Sequence, residues 1–183
     1  IQMNDNELRT LVEAQKDWIV NIRRKLHRIP ERGFDLFKTQ KTVMDALDEI
    51  GIPYTTERTW VIGLIEGALP GGVVALRADM DALPIQEEND VPYCSQVPGK
   101  MHACGHDGHT AMLLGAAKVL CALRKTLPCG VLLIFQPAEE GPNLGGARVM
   151  LADLREQGIA DKIERIYALH LLNDYPVGTV GTK

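Results

Sequence analysis

No run of lysine and arginine stands out in this sequence, and acidic residues outnumber basic ones, 24 to 20. A net charge of −4 does not supply the basic patch that a phosphate backbone needs, so no nucleic-acid partner is expected. Long apolar stretches are missing too. The most continuous, VLLIF at 131–135, is far too short to cross a bilayer, and no membrane partner is expected. The opening IQMNDNELRT shows no basic-then-apolar leader pattern, which makes the cytoplasm the expected location. Cysteine is sparse, with four in 183 residues, and this excludes a disulfide scaffold. Neither repeats nor low-complexity segments are visible.

What is present is an ordinary globular composition, 45% hydrophobic and 24% charged, in a chain long enough for one domain with a real core. Residues 5–28 carry Leu8, Leu11, Val12, Trp18, Ile19, Ile22 and Leu26 at helical spacing, predicting one long amphipathic helix stopped by Pro30. A second helix is expected from about Thr39 to Ile50, closed by Gly51. WVIGLIEGAL and GGVVALRA are rich in Val, Ile and Leu and are separated by the turn PGG, so they read as paired strands. Residues 108–125 predict an apolar helix. CGVLLIFQ suits a strand buried on both faces. GGARVMLADLREQG reads as a helix and RIYALHL as a short strand. This alternation points to an α/β fold with a mostly parallel central sheet flanked by helices.

The polar residues gather where these strands end. Asp79 and Asp81 follow GGVVALRA, Glu139 and Glu140 follow CGVLLIFQPA, and His170 lies near the end of RIYALHL. In open α/β sheets ligands bind beyond the carboxyl ends of the strands. The stretch HACGHDGHT, residues 102–110, holds three histidines, a cysteine and an aspartate in nine positions, and its 102–109 cluster is expected immediately before a helix. Such a cluster suits a metal site, a thiol nucleophile with its base, or a polar turn.

Cys104 and His106, one residue apart in a Gly-containing turn, can reach one metal ion or two neighbouring ones. The thiol-nucleophile reading offers no account of two consecutive glutamates at another strand end. Glu139 and Glu140 repel each other, so directing both into one cleft calls for compensating positive charge such as a metal. Alone they also suit a solvated turn, and His170 alone suits a core histidine with one hydrogen bond. Asp79 and Asp81 could ligate metal, orient a ligand imidazole or cap a turn. His102 and His109 flank the cluster and could simply orient it, and Arg77 could be a structural partner for the aspartates. His27, at a helix end, is given no chemistry, because a cation there favours the helix dipole. Cys121 reads as a small buried hydrophobe.

RRKLHRIPERGF, ALRADMDALPI, PYCSQVPGKMHACGHDGHTAMLLGAA, LIFQPAEEG, GGA and ALHLLNDYPVGTV together resemble, in order, the motif series of the M20 metallopeptidase family. The likeness is to its amidohydrolase branch: aminoacylase-like N-acyl-amino-acid hydrolases, hippurate hydrolases and plant auxin-conjugate hydrolases. The cysteine in MHACGHDGHT marks this branch over the aspartate-bridged carboxypeptidases and dipeptidases. The resemblance covers nearly the whole chain and implies a dinuclear site with Cys104, His106, Glu140 and His170 as ligands and Glu139 as general base. Related branches carry a ligand histidine where this chain has Asp79, so the ligand role is not carried over, and Asp79 and Asp81 are expected behind the ligands. After the GF of PERGF, family members often show two acidic residues, where this chain has Asp35 then Leu36.

The resemblance also implies that residues 1–183 form the N-terminal part of a metal-dependent catalytic domain. An inserted lid and dimerisation domain, through which the parent enzyme forms homo-oligomers, and a C-terminal catalytic segment are expected to be absent here. The implied cofactors are two divalent ions, Zn, Mn, Co or Ni. They would lower the pKa of a shared water and polarise an amide carbonyl, with Glu139 moving the proton. The implied substrates are N-acyl or N-aroyl amino acids, split to a carboxylic acid and a free amino acid. The rival expectation is a truncated, non-catalytic fragment that binds metal or associates with partners.

Overall fold

A computed structural model describes residues 4–69, 72–141 and 145–182. Its core is a five-stranded sheet in the order β1-β2-β4-β3-β5: β1 (Tyr54–Glu57), β2 (Trp60–Ile65), β3 (Val73–Asp79), β4 (Gly130–Gln136) and β5 (Ile163–Ala168). β3 pairs in parallel with both β4 and β5, whereas β2 runs antiparallel to β1 and β4. All strands but β2 therefore point the same way. The α/β expectation holds, with a mixed sheet.

β4 explains the layering. Val131, Leu133 and Phe135 enter one core with Leu113, Leu114 and Ala117 of α4 (His106–Ala122) and Val43 and Leu47 of α3 (Phe37–Ile50). Leu132 and Ile134 point the other way, into a second core with Trp60, Ile62 and the Met150 and Leu154 side chains of α5 (Gly146–Glu156). A strand buried on both faces must be apolar at both parities, which is why its sequence is nearly continuous. Each fully buried Leu or Phe contributes roughly 1.5–3 kcal/mol of transfer free energy. α4 is buried around most of its circumference, with His106, Asp107, His109 and Thr110 of its first turns all inside.

Two expectations are corrected. WVIGLI and VVALRA do not pair with each other, because β4 lies between them. The connecting segment runs past the start of β4 instead. Ala68 donates its N–H to Leu127 O at 2.8 Å, and a Cβ on Gly67 would sit 2.2 Å from Cys129 O, so only glycine fits that crossing. Residues 70 and 71 of the PGG turn lie outside the described residues. The single helix expected over 5–28 is two, α1 (Asp5–Glu13) and α2 (Lys16–His27). Between them the backbone tightens, with Gln15 N donating to Val12 O at 3.0 Å in the 3₁₀ manner. α1 buries no side chain and starts with a capping box between Asn4 and Glu7, so it stands on local interactions. α2 carries the buried Leu26 and His27. Strand β1 had no counterpart in the sequence reading. Among the described residues, no helix is long and apolar enough to cross a membrane.

Candidate metal centre

The parallel strands β3, β4 and β5 end on one edge of the sheet, and α4 begins there. β3 ends at Asp79. Met80 N still donates to Gln136 O at 2.9 Å, which ties the exit of β3 to the end of β4 and delivers Asp81 beneath the following turn. That turn is forced. Ala138 adopts φ +53°, a left-handed conformation costing a non-glycine residue about 1–2 kcal/mol. It is held there because Ala138 O accepts the Gly146 N–H at 2.8 Å. A Cβ on Gly146 would lie 1.8 Å from Pro137 O, so glycine is required. The strained turn presents Glu139 and Glu140, whose backbone N–H groups donate to Asp81 Oδ1 (2.9 Å) and Oδ2 (3.0 Å).

Gly105, at φ +86°, turns the chain into α4 and sets Cys104 and His106 at the helix start. His106 is the centre of the arrangement, 1% exposed. Its Nε2 lies 3.6 Å from Glu140 Oε1, 3.8 Å from Glu139 Oε2 and 3.7 Å from Asp79 Oδ1, and its Nδ1 is 3.5 Å from Asp81 Oδ1. Cys104 Sγ is 3.5 Å from His170 Nε2. Three sets of side chains bring their ligand atoms within 4.8 Å of one another: Cys104, His106 and His170; His106, Glu139 and Glu140; and Asp79, His106 and His109. The structure thus gathers Cys104, His106, Glu139, Glu140 and His170 around one imidazole, with Asp79 and Asp81 on its buried side.

The electrostatics are those of a cation site. Burial pushes the Cys104 thiol up to about 12, and the neighbouring Glu140, Glu139 and Asp79 charges add to the rise. Burial opposes protonation of His106, but Asp81, Asp79 and Glu140 outweigh it and raise its pKa. Burial alone would raise Asp79; the His109 hydrogen bond, His106 and Arg77 overcome it and hold the carboxyl at about 2. Arg77 Nη1 donates to Asp79 Oδ2 at 2.7 Å, the structural partnership open from the sequence. Both nitrogens of His106 are buried without a hydrogen-bond partner. Orphaned buried imidazole nitrogens among carboxylates and a thiol fit a divalent ion, which would replace the missing positive charge and favour the thiolate.

Two buried histidines lie outside the ligand set expected from the sequence. His27 is 3% exposed and bridges Asp107 (Nδ1 to Oδ2, 2.7 Å) and Glu87 (Nε2 to Oε1, 3.1 Å), while Arg23 Nε reaches the same Asp107 oxygen at 2.8 Å. This buried network braces α2, the 81–101 loop and the start of α4. Its partners lie 60 and 80 residues away, a separation that no local pattern signals. His102 is buried with neither nitrogen paired, and burial drives its pKa down to about 4. Cys121 is buried, as a small hydrophobe should be.

The model of peptidase family M20/M25/M40 matches residues 75–183, the segment that carries every one of these groups from Asp79 onward. The chain belongs to that family. It is 43% identical over 180 residues to thermostable carboxypeptidase 2 of Saccharolobus solfataricus, covering 97% of this chain and 45% of that protein. To IAA-amino acid hydrolase ILR1-like 2 of Arabidopsis thaliana it is 49% identical over 169 residues, covering 91% of this chain and 37% of the relative. Among solved structures, the Bacillus subtilis YXEP protein, described as a dinuclear metal binding peptidase from the M20 family, superposes with a TM-score of 0.85. The identity is 42%, covering 93% of this chain and 47% of that one. This M20 chain therefore spans less than half the length of each of these three proteins.

Proposed function

We propose that this chain carries the metal-binding and proton-transferring part of an amidohydrolase that splits N-acyl or N-aroyl amino acids to a carboxylic acid and a free amino acid. The observation that carries the reading is the convergence of Cys104, Glu139, Glu140 and the carboxylates of Asp79 and Asp81 on His106, whose buried nitrogens are unpaired. Cys104, His106, Glu140 and His170 would hold two divalent ions. Bound there, the ions supply Lewis acidity, lowering the pKa of water and polarising the scissile carbonyl. Zn suits the thiolate and imidazole ligands, and Mn, Co and Ni are compatible with the same set.

Glu139 is the proton carrier in this reading. Its side chain is 42% exposed against 25% for Glu140, so it faces the space a substrate would enter. It takes a proton from the attacking water and delivers it to the leaving amine. Asp81 fixes both glutamates through their backbone N–H groups. The relative named an IAA-amino acid hydrolase acts, by its name, on an amino-acid conjugate, which supports the substrate class. The reading places the protein in the cytoplasm, where reduced thiols persist and Cys104 stays available as a ligand. Residues 1–183 form the N-terminal part of the catalytic domain in this account, and the lid and dimerisation domain that would assemble homo-oligomers, with the C-terminal catalytic segment, belong to a longer polypeptide.

Hydrolysis of N-acetyl- and N-benzoyl-amino acids tests the proposal. Chelation should abolish turnover, and Glu139→Gln should lower kcat by roughly 10²–10⁴ with metal content unchanged. Turnover that survives chelation contradicts it. A second reading, a metal-binding fragment without turnover, draws on the exposed apolar side chains beside His170, among them Ile166, Tyr167, Leu169 and Leu172. Metal binding by a chain that hydrolyses none of these substrates would favour that reading.

A further inference from the structure

His109 stands one helical turn beyond His106 and is 3% exposed, near enough to Asp79 and His106 to be taken for a third imidazole ligand. Its hydrogen bonds commit it elsewhere. The Leu171 backbone N–H donates to His109 Nε2 at 2.8 Å. A backbone amide can only donate, so Nε2 is bare and the ring proton sits on Nδ1. Nδ1 lies 2.6 Å from Asp79 Oδ1 and donates to it. Neither nitrogen is left for an ion.

The far end of this relay is His170. The β5 ladder with β3 ends at Ala168, and residues 169–182 carry no helix or strand. His170 follows that end, exposed, on a segment without a ladder to hold it. Its Nδ1 donates to Leu171 O at 2.8 Å, which leaves Nε2 bare and facing Cys104 Sγ at 3.5 Å. One peptide unit is thus used twice: the Leu171 carbonyl sets the tautomer of His170, and the Leu171 N–H is held by His109. The Leu171 side chain has a seat of its own, because a Cβ on Gly108 would lie 2.5 Å from Leu171 Cδ1 and one on Gly105 would lie 3.4 Å from Leu171 Cβ. The rings of His109 and His170 meet edge to face, with centroids 4.7 Å apart.

We propose that His109 is a positioning residue: held by Asp79 in the Nδ1–H tautomer, it latches the Leu171 peptide and thereby aims His170 Nε2 at the ion-binding space beside Cys104. The inference rests on the metal reading above for the purpose of the latch, but the latch itself is a property of the metal-free chain. An imidazole that orients a ligand through an intervening group acts as outer-shell partners do, and removing one typically costs about 10- to 100-fold in metal affinity.

Two substitutions separate the halves of the relay. Asn places an amide donor where Nδ1 stood but has no group at Nε2, whereas Gln places an acceptor oxygen where Nε2 stood. His109→Gln should keep Zn affinity within about threefold of wild type, and His109→Asn should lose about 10- to 100-fold. Leu171→Pro removes the same N–H from the exposed segment, away from the core, and should reproduce the Asn loss with His109 intact. Hydrogen exchange of the metal-free chain provides the independent arm. The Leu171 amide should be protected relative to Leu172 and Asn173 in wild type and in His109→Gln, and unprotected in His109→Asn. A Leu171 amide that exchanges as fast as its neighbours in wild type, or His109→Asn and Leu171→Pro binding Zn as tightly as wild type, would overturn the latch. A wild-type chain that binds no ion contradicts the metal reading instead, and the exchange comparison then decides the latch alone.

Discussion

Asp81 Oδ1 accepts the Glu139 backbone N–H at 2.9 Å, joining the exit of β3 to the turn after β4 across 58 residues of sequence. The second carboxylate oxygen takes the Glu140 N–H at 3.0 Å, so one buried side chain sets the direction of both glutamates. A carboxylate used this way is spent on positioning. That agrees with its place behind His106 and away from solvent.

Asp81→Asn keeps the shape but offers one acceptor where two are needed, and turns an amide donor toward a backbone N–H. The buried mismatch should cost about 1–3 kcal/mol. For a chain of this size that is a fall in Tm of roughly 3–10 °C. An unchanged melting curve would show that the Glu139–Glu140 turn holds itself.

The turn also depends on Gly146. Gly146→Ala drives a methyl group toward Pro137 O, and the backbone must move to admit it. A loss of about 2 kcal/mol or more is expected, together with weaker metal binding as Glu140 shifts. Gly181→Ala, with nothing within 4 Å of the added atom, is the control that should leave the melt unchanged.

His27 gives the stability a pH signature. Its pKa is raised above the ordinary 6.5 by the Asp107 hydrogen bond, against burial, with Glu87 adding to the rise and Arg23 opposing it. A folded-state pKa above the unfolded value means the contribution is complete below pH 6.5 and is lost as the pH climbs through the folded pKa. Glu87 and Asp107 are lowered from 4.5 and 3.8, so their contribution is present above those values and fades below them. Tm should therefore fall on the alkaline side as His27 deprotonates. His27→Gln should flatten that limb and cost about 3 kcal/mol, since it leaves buried Asp107 and Glu87 short of a partner. A limb of equal slope in wild type and variant would rule out His27 as its source.

Where chemistry follows local pattern, the sequence was a good guide. The apolar run of β4 and the acids at the strand ends lie where periodicity and composition put them, and the helix expected over 108–125 begins earlier, at His106 inside HACGHDGHT. The metal-ligand candidates were legible because their segments abut strand ends that parallel pairing brings to one edge. Less legible were features set by partners distant in sequence. The β2–β4 pairing overrides the apparent β2–β3 hairpin, because the pass of Gly67 under Cys129 leaves no local signal beyond a glycine. His27 looked like a helix-end cation, and only the fold brings Glu87 and Asp107 to its two nitrogens. An orienting role for His109 was open from its place in the motif, but its partner, the Leu171 N–H 62 residues on, was not. Strand β1, four residues long with an exposed Thr-Thr-Glu, carries too little apolar signal to be read.

The most direct test of the central claim is metal content per chain, by elemental analysis after purification without added metal, for wild type and Cys104→Ala. A dinuclear centre predicts about two ions per wild-type chain, falling to one or fewer when the thiolate is removed. No metal in either protein, or equal content in both, would contradict a centre built on Cys104.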